Sequence, residues 1–145
     1  MQHLGTHRQF QRVFSGRILA RTPHFVLHGL DTSSLDVASH SLFAGHVVWM
    51  GVVVPKRWAK RAVTRNTIKR QIYAISAEYE DSFVSAAYSA AYSAAYVVRL
   101  RCGFDPVKYV SASSNALKVA VRDELKCLFT QVAGRAWPVA PRGCA

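Results

Sequence analysis

Acidic residues are scarce in this chain: eight Asp and Glu stand against 19 Lys and Arg in 145 residues, a net charge of +11 with six His left neutral. No acid lies between Val37 and Ala77. A metal nuclease working unaided holds Mg2+ with clustered carboxylates. Here Asp31, Asp36, Glu78, Glu80, Asp81, Asp105, Asp123 and Glu124 all lie outside the most basic stretch, and the adjacent Asp123 and Glu124 diverge on a helix. No catalytic residue and no protein metal site is therefore expected. Cysteine is sparse as well. Cys102, Cys127 and Cys144 are odd in number, far apart and without a CxxC pair, which indicates neither a disulfide framework nor a zinc cluster. Long apolar runs are missing: Val47 to Val54, interrupted by Gly51, is too short to span a bilayer, and Met1 to Phe10 has no apolar signal-peptide region. These absences predict a soluble cytoplasmic protein with no membrane partner.

What is present points to one packed domain, since half of the residues are apolar and this length buries most of its unfolded surface. Phe10, Val13 and Phe14 fall at i, i+3 and i+4 within His7 to Phe14, a short amphipathic helix that Gly16 would end. Arg17 to Leu30 alternates and is divided by Pro23 into two strands. Asp31 to Gly45 reads as a loop, and Val47 to Val54 as a buried strand stopped by Pro55. A helix from about Ala62 to Tyr79 carries the stripe Ile68, Ile72, Ile75 and Tyr79. Tyr96 to Arg101 is a further strand. The last helix begins near Ser113 or Ser114 and buries Leu117, Val121, Leu125 and Leu128. Residues 1–131 form the expected domain, and 132–145, with two prolines, a mobile tail. Ser85 to Tyr96 is three copies of SAAY, read as a low-complexity insert over 82–95 that lengthens a helix or loop, with Tyr96 already in the strand.

The chemistry is concentrated between Lys56 and Arg70, KRWAKRAVTRNTIKR, where Lys56, Arg57, Lys60, Arg61, Arg65, Lys69 and Arg70 have no acid to neutralise them. Their mutual repulsion destabilises the free protein, and a polyanion relieves it while releasing condensed counterions. Guanidinium groups add paired donors for phosphate, and Asn66 adds an amide that can meet sugar or base edges. An anionic membrane is the weaker reading, because no segment combines a basic face with a wide Trp- or Leu-rich face.

FQRVF (Phe10 to Phe14), HFVLHGL (His24 to Leu30), VVPKRWAKRAVTRNTIKRQIY (Val53 to Tyr73), VVRLR (Val97 to Arg101) and the final amphipathic helix, in this order and spacing, resemble the protein subunit of bacterial ribonuclease P. The resemblance spans roughly Thr6 to Thr130, and its most specific part is RNxIKR at Arg65 to Arg70. It implies an α/β two-layer sandwich in the order αβββαβα, with a mixed sheet of about four strands, a left-handed crossover through the basic helix, and a fold shared with certain ribosomal domains. It further implies a non-catalytic subunit that binds a catalytic RNA and precursor tRNA and needs no obligatory protein partner. Cleavage of the 5′ leader would rest on Mg2+ held mainly by RNA. By position, Lys56, Arg57, Lys60, Arg61, Arg65, Asn66, Lys69 and Arg70 would face the catalytic RNA. Phe10, Arg12, Phe14, Phe25, Val26 and His28 would line a cleft for the single-stranded leader, where bases stack on aromatic faces. Three positions depart from the family: Thr67 where Arg is usual, Tyr73 where a basic residue is frequent, and His28 where Tyr is commoner.

Two alternatives share the composition. A plain RNA-binding module of ribosomal type fits the charge but not the ordered motif set. A metal-free ribonuclease would need two histidines; His24 and His28 on one strand face, or His3 and His7 on one helix face, are the available pairs, and either could also suggest zinc.

Overall fold

The computed structural model describes residues 2–32, 41–43, 48–89, 93–104, 115–132 and 142–143. Helix α1 (His7–Phe14) starts at Thr6, whose hydroxyl accepts from the Gln9 backbone N–H at 3.2 Å, while the Gln9 side chain accepts from the Gly5 and Thr6 N–H groups. This reciprocal cap satisfies donors that a helix leaves open. The turn after α1 passes so close to the sheet that a Cβ on Gly16 would collide with the Gly29 carbonyl oxygen. Only glycine fits there.

The strands are β1 (Gln2–His3), β2 (Arg17–Arg21), β3 (Phe25–Asp31), β4 (Val48–Val53), β5 (Ala94–Leu100) and β6 (Arg142–Gly143), in the spatial order β1-β4-β5-β3-β2-β6. A 3-10 turn, Ser41–Phe43, precedes β4. β2, β3 and β5 are antiparallel neighbours, whereas β4 and β5 run parallel. Parallel neighbours require a crossover, supplied by α2 (Ala62–Glu78) and α3 (Glu80–Ser89). Helix α4 (Asn115–Thr130) completes the fold.

The pleat sends alternate residues to opposite faces. Phe25 and Leu27 of β3, Val48, Met50 and Val52 of β4, and Ala94, Tyr96, Val98 and Leu100 of β5 meet α2, α3 and α4 in the main core. Ile68, Ile72 and Ile75 of α2 and Leu117, Val121, Leu125 and Leu128 of α4 fill it as their spacing predicts, joined by Phe129. On the other face, Leu30, Trp49, Ala95 and Val97 pack with Leu4, Val13 and Phe43, and α1 lies over them with Phe10.

Several expectations are corrected. The mixed sheet of four longer strands is extended to six by two-residue edge strands. β1 pairs with β4 through Gln2 and His3, where the sequence shows no alternation long enough to read as a strand. Within the expected tail, Arg142 and Gly143 pair with Ala20 and Arg21 of β2. The 82–95 segment is not a pure insertion: Phe83 is buried, with its ring 4.9 Å from Tyr96 and 5.9 Å from Phe129. Ala94 and Ala95 of the third SAAY copy lie buried in β5, where Ala95 stands opposite the bulky Trp49. A small residue opposite a large one keeps the layer filled. Cys127 is disulfide-bonded, where the sequence indicated no disulfide framework; Cys102 is free and exposed.

Candidate nucleic-acid interface

The loop from Pro55 and the outer side of α2 present Lys56, Arg57, Lys60, Arg61, Asn66, Lys69 and Arg70, all exposed. Among the described residues, the His24–Glu124 ion pair uses none of these cations. No ion pair between described residues ties them to a carboxylate, and Ile68 and Ile72, on the same helix, anchor it in the core. Arg61 occupies the N-cap of α2 without a side-chain hydrogen bond, so the first N–H groups of the helix add their positive potential to the surface.

Arg65 is placed differently from its neighbours. It is half-buried, and its Nη1 donates to the carbonyl oxygens of Ala59 at 3.0 Å and Lys60 at 2.9 Å. The guanidinium thus orders the loop that carries Lys60 and Arg61. The departures at Thr67 and Tyr73 have structural reasons. Thr67 is only 7% exposed and its hydroxyl donates to the Val63 carbonyl at 2.8 Å, a buried position that suits a short side chain. Tyr73 stacks on His3 with centroids 4.1 Å apart, joining α2 to β1, and burial raises its phenol pKa.

The second surface lies where α1 crosses the sheet. Phe14 is 37% exposed and sets its ring edge-on to His28, with centroids 4.8 Å apart. His28 is 8% exposed, and its Nε2 accepts from Arg99 Nε at 3.4 Å. Burial first, then the Arg99 and Arg21 charges, lower its pKa from 6.5 to about 4. The ring is therefore neutral near pH 7, which leaves Nδ1 as the protonated nitrogen while Nε2 accepts. Val26 is buried on this face. Phe10 is half-buried over Gly51, where a Cβ would come within 2.6 Å of its ring, so it is more anchor than open platform. Arg12, half-buried, donates to Ser15 Oγ at 2.6 Å at the end of α1.

Phe25 does not join this group. It is fully buried in the core under α4, because residues one apart on a strand face opposite ways and Val26 and His28 already take the α1 side. Arg99 and Arg21 were missed in its place; a lone Arg within the apolar run of β5, in phase with Val97, was the available signal.

The histidine pairs do not assemble. His24 lies before β3, bonded through Nδ1 to Glu124 at 2.7 Å and stacked on Phe104, while His28 meets Phe14 and Arg99. His3 and His7 belong to different elements, β1 and α1. Among the described residues no group of three or more His, Cys, Asp or Glu could hold a metal ion, and no helix is long and apolar enough to cross a membrane.

Residues 1–130 match the family model of Ribonuclease P. The ribonuclease P protein component of Bordetella parapertussis is 34% identical over 125 residues, covering 86% of this chain and 86% of that protein. That of Paraburkholderia xenovorans is 30% identical over 125 residues, covering 86% and 76%. The Staphylococcus aureus RNase P protein shares the fold, with a TM-score of 0.59 and 18% identity, covering 90% of this chain and 94% of that one. The chain belongs to the ribonuclease P protein family: it is the non-catalytic subunit of that tRNA-processing endoribonuclease, partnered with a catalytic RNA.

Proposed function

We propose that the loop from Lys56 and the outer side of α2 lie against the catalytic RNA, and that the α1 face receives the unpaired 5′ leader of precursor tRNA in the cytoplasm. The observation that carries the reading is the set of exposed cations from Lys56 to Arg70, free of carboxylates among the described residues. Such a surface gains affinity by displacing counterions from phosphate. Within the second surface, Phe14 offers its exposed ring to bases, supported by the buried, neutral His28 against it, and Arg99 and Arg21 offer charge to the backbone. Lys56, Arg57, Lys60, Arg61, Asn66, Lys69 and Arg70 contact RNA directly, whereas Arg65 acts at least in part by fixing the loop. Phe10, Arg12 and Val26 shape the cleft.

Mg2+ chemistry belongs to the RNA in this reading. The protein then contributes position and charge screening. Reconstitution tests the assignment. Purified protein added to catalytic RNA and precursor tRNA at low Mg2+ should restore leader removal, and protein alone should cut nothing. A ribozyme that ignores the protein would overturn it.

A further inference from the structure

The loop between β4 and α2 carries an aromatic side chain that the surfaces above do not use. Trp58 is 36% exposed, amid Lys56, Arg57, Lys60 and Arg61, which are themselves exposed. Its backbone is fixed from three sides. The Trp58 and Ala59 N–H groups donate to the Pro55 carbonyl at 3.1 and 3.2 Å, the neighbouring Ala59 is buried, and Gly103 approaches so closely that a Cβ there would stand 2.8 Å from the Trp58 carbonyl oxygen. The Arg57 guanidinium carbon lies 5.1 Å from the indole centroid, within cation–π range. An indole on so well-fixed a backbone, with a cation already against it, is arranged to present a flat apolar surface without ordering a loop first.

We propose that Trp58 is a stacking platform for an unpaired nucleotide of the catalytic RNA, with Arg57 reinforcing the stack and Lys56, Lys60 and Arg61 meeting the flanking phosphates. The proposal rests on the reading that this cationic surface faces RNA. Charge selects the occupant: a protein partner covering the indole would have to desolvate four exposed cations, whereas a nucleic acid neutralises them. Strandedness follows from geometry. Bases within an A-form duplex keep their faces stacked on one another, so an indole can engage only a base that has left the helix.

Stacking and charge contacts separate by their salt response, because a stack releases no counterions while a lost phosphate contact lowers the slope. The full-length protein is titrated against its catalytic RNA at several salt concentrations, with Trp58→Leu, Trp58→Phe and Lys69→Ala beside the unaltered chain. Leu keeps apolar bulk without an aromatic face, and Phe keeps the face. Trp58→Leu should bind roughly ten-fold more weakly with an unchanged salt slope, and Trp58→Phe should recover most of the loss. Equal affinities for all three side chains at 58, or a Leu loss that Phe does not recover, would overturn the platform. A salt-insensitive titration of the unaltered chain would instead overturn the underlying RNA-facing assignment, whatever residue 58 does. Thermal melting of each variant identifies a loss that comes from unfolding; a Leu variant that folds normally yet binds as tightly as Trp also ends the proposal.

Discussion

The two faces of the sheet are covered unequally. One carries three helices and is dry: Phe25, Leu27, Met50, Ile68, Ile72 and Leu125 are almost fully shielded from solvent. Among the described residues the other carries a single helix, α1, with Leu4 and the 3-10 turn at Phe43 packed beside it. Eight residues make a helix about 12 Å long, while four strands at about 4.8 Å spacing are wider than that. By the end of α1 lie Phe14 and Arg21, exposed, Arg99, half-buried, and His28, buried against the Phe14 ring. A short helix leaves Phe14 and Arg21 exposed and Arg99 partly so, and this fold places these aromatic and cationic groups on regular elements rather than on a loop.

The contrast sets the size of the mutational effects. On the dry face, Ile72→Ala removes a fully buried side chain from between α2 and β-strands that cannot collapse around it. We expect a loss of about 2–5 kcal/mol in urea unfolding, with leader discrimination by the folded fraction retained. A loss under 1 kcal/mol would mean that the helical layer is no better packed than the α1 side.

On the α1 face the largest expected effect depends on pH. The His28 pKa is about 4 in the folded protein against 6.5 in an unfolded chain, so between those values the unfolded state takes up a proton that the folded state refuses. Stability therefore falls as pH drops from about 6.5 to about 4 and is level, for this group, outside that window. The contribution is up to about 3 kcal/mol. It should appear as the difference between the pH–stability curves of the wild type and His28→Phe, which also cancels the titration of carboxylates. Parallel curves would place a protonated or freely solvated imidazole at this position.

Phe14→Ala comes next. An edge-on, partly exposed ring contributes little to the core, so stability should change by less than about 1 kcal/mol, while affinity for leader-bearing precursor tRNA should fall by about 1–2 kcal/mol relative to mature tRNA. Fluorescence binding assays with both RNAs measure the difference. Equal losses for the two would return Phe14 to a packing role.

Most of the scaffold was legible because periodicity reports burial. The Ile68, Ile72 and Ile75 spacing and the β-branched run before Pro55 depend on neighbours along the chain, and helix α1 falls at His7–Phe14 as read. What was illegible depends on distant partners. β1 is two residues long and exists because Gln2 and His3 pair with β4 and Tyr73 stacks on His3. The SAAY copies look alike in sequence, yet the last enters a central strand because β3 and β4 flank it. In the candidate site, charge was readable from composition, but division of labour was not. Phe25 could have been excluded by strand alternation against His28, whereas the use of Arg65 on the Ala59 and Lys60 carbonyls required the loop geometry.

That last distinction yields the smallest expected effect, on the outer side of the helical layer. Lys69 is exposed and its ammonium has no partner among the described residues. Replacing it with Ala should weaken catalytic-RNA binding by about 1 kcal/mol and lower the salt slope by roughly 0.9, the signature of one phosphate contact removed. The loss should be the same with or without a leader on the substrate, unlike that of Phe14. Arg65→Ala should lower affinity too, but by releasing Lys60 and Arg61 from their fixed loop, so its effect should shrink when both are already Ala. The two substitutions share a helix face yet differ in cause, and double-mutant cycles with Lys60→Ala separate them: near-additive losses for Lys69, a clear coupling for Arg65. If Lys69 couples to Lys60 as strongly as Arg65 does, the surface binds as one cooperative unit and the loop-ordering role of Arg65 falls.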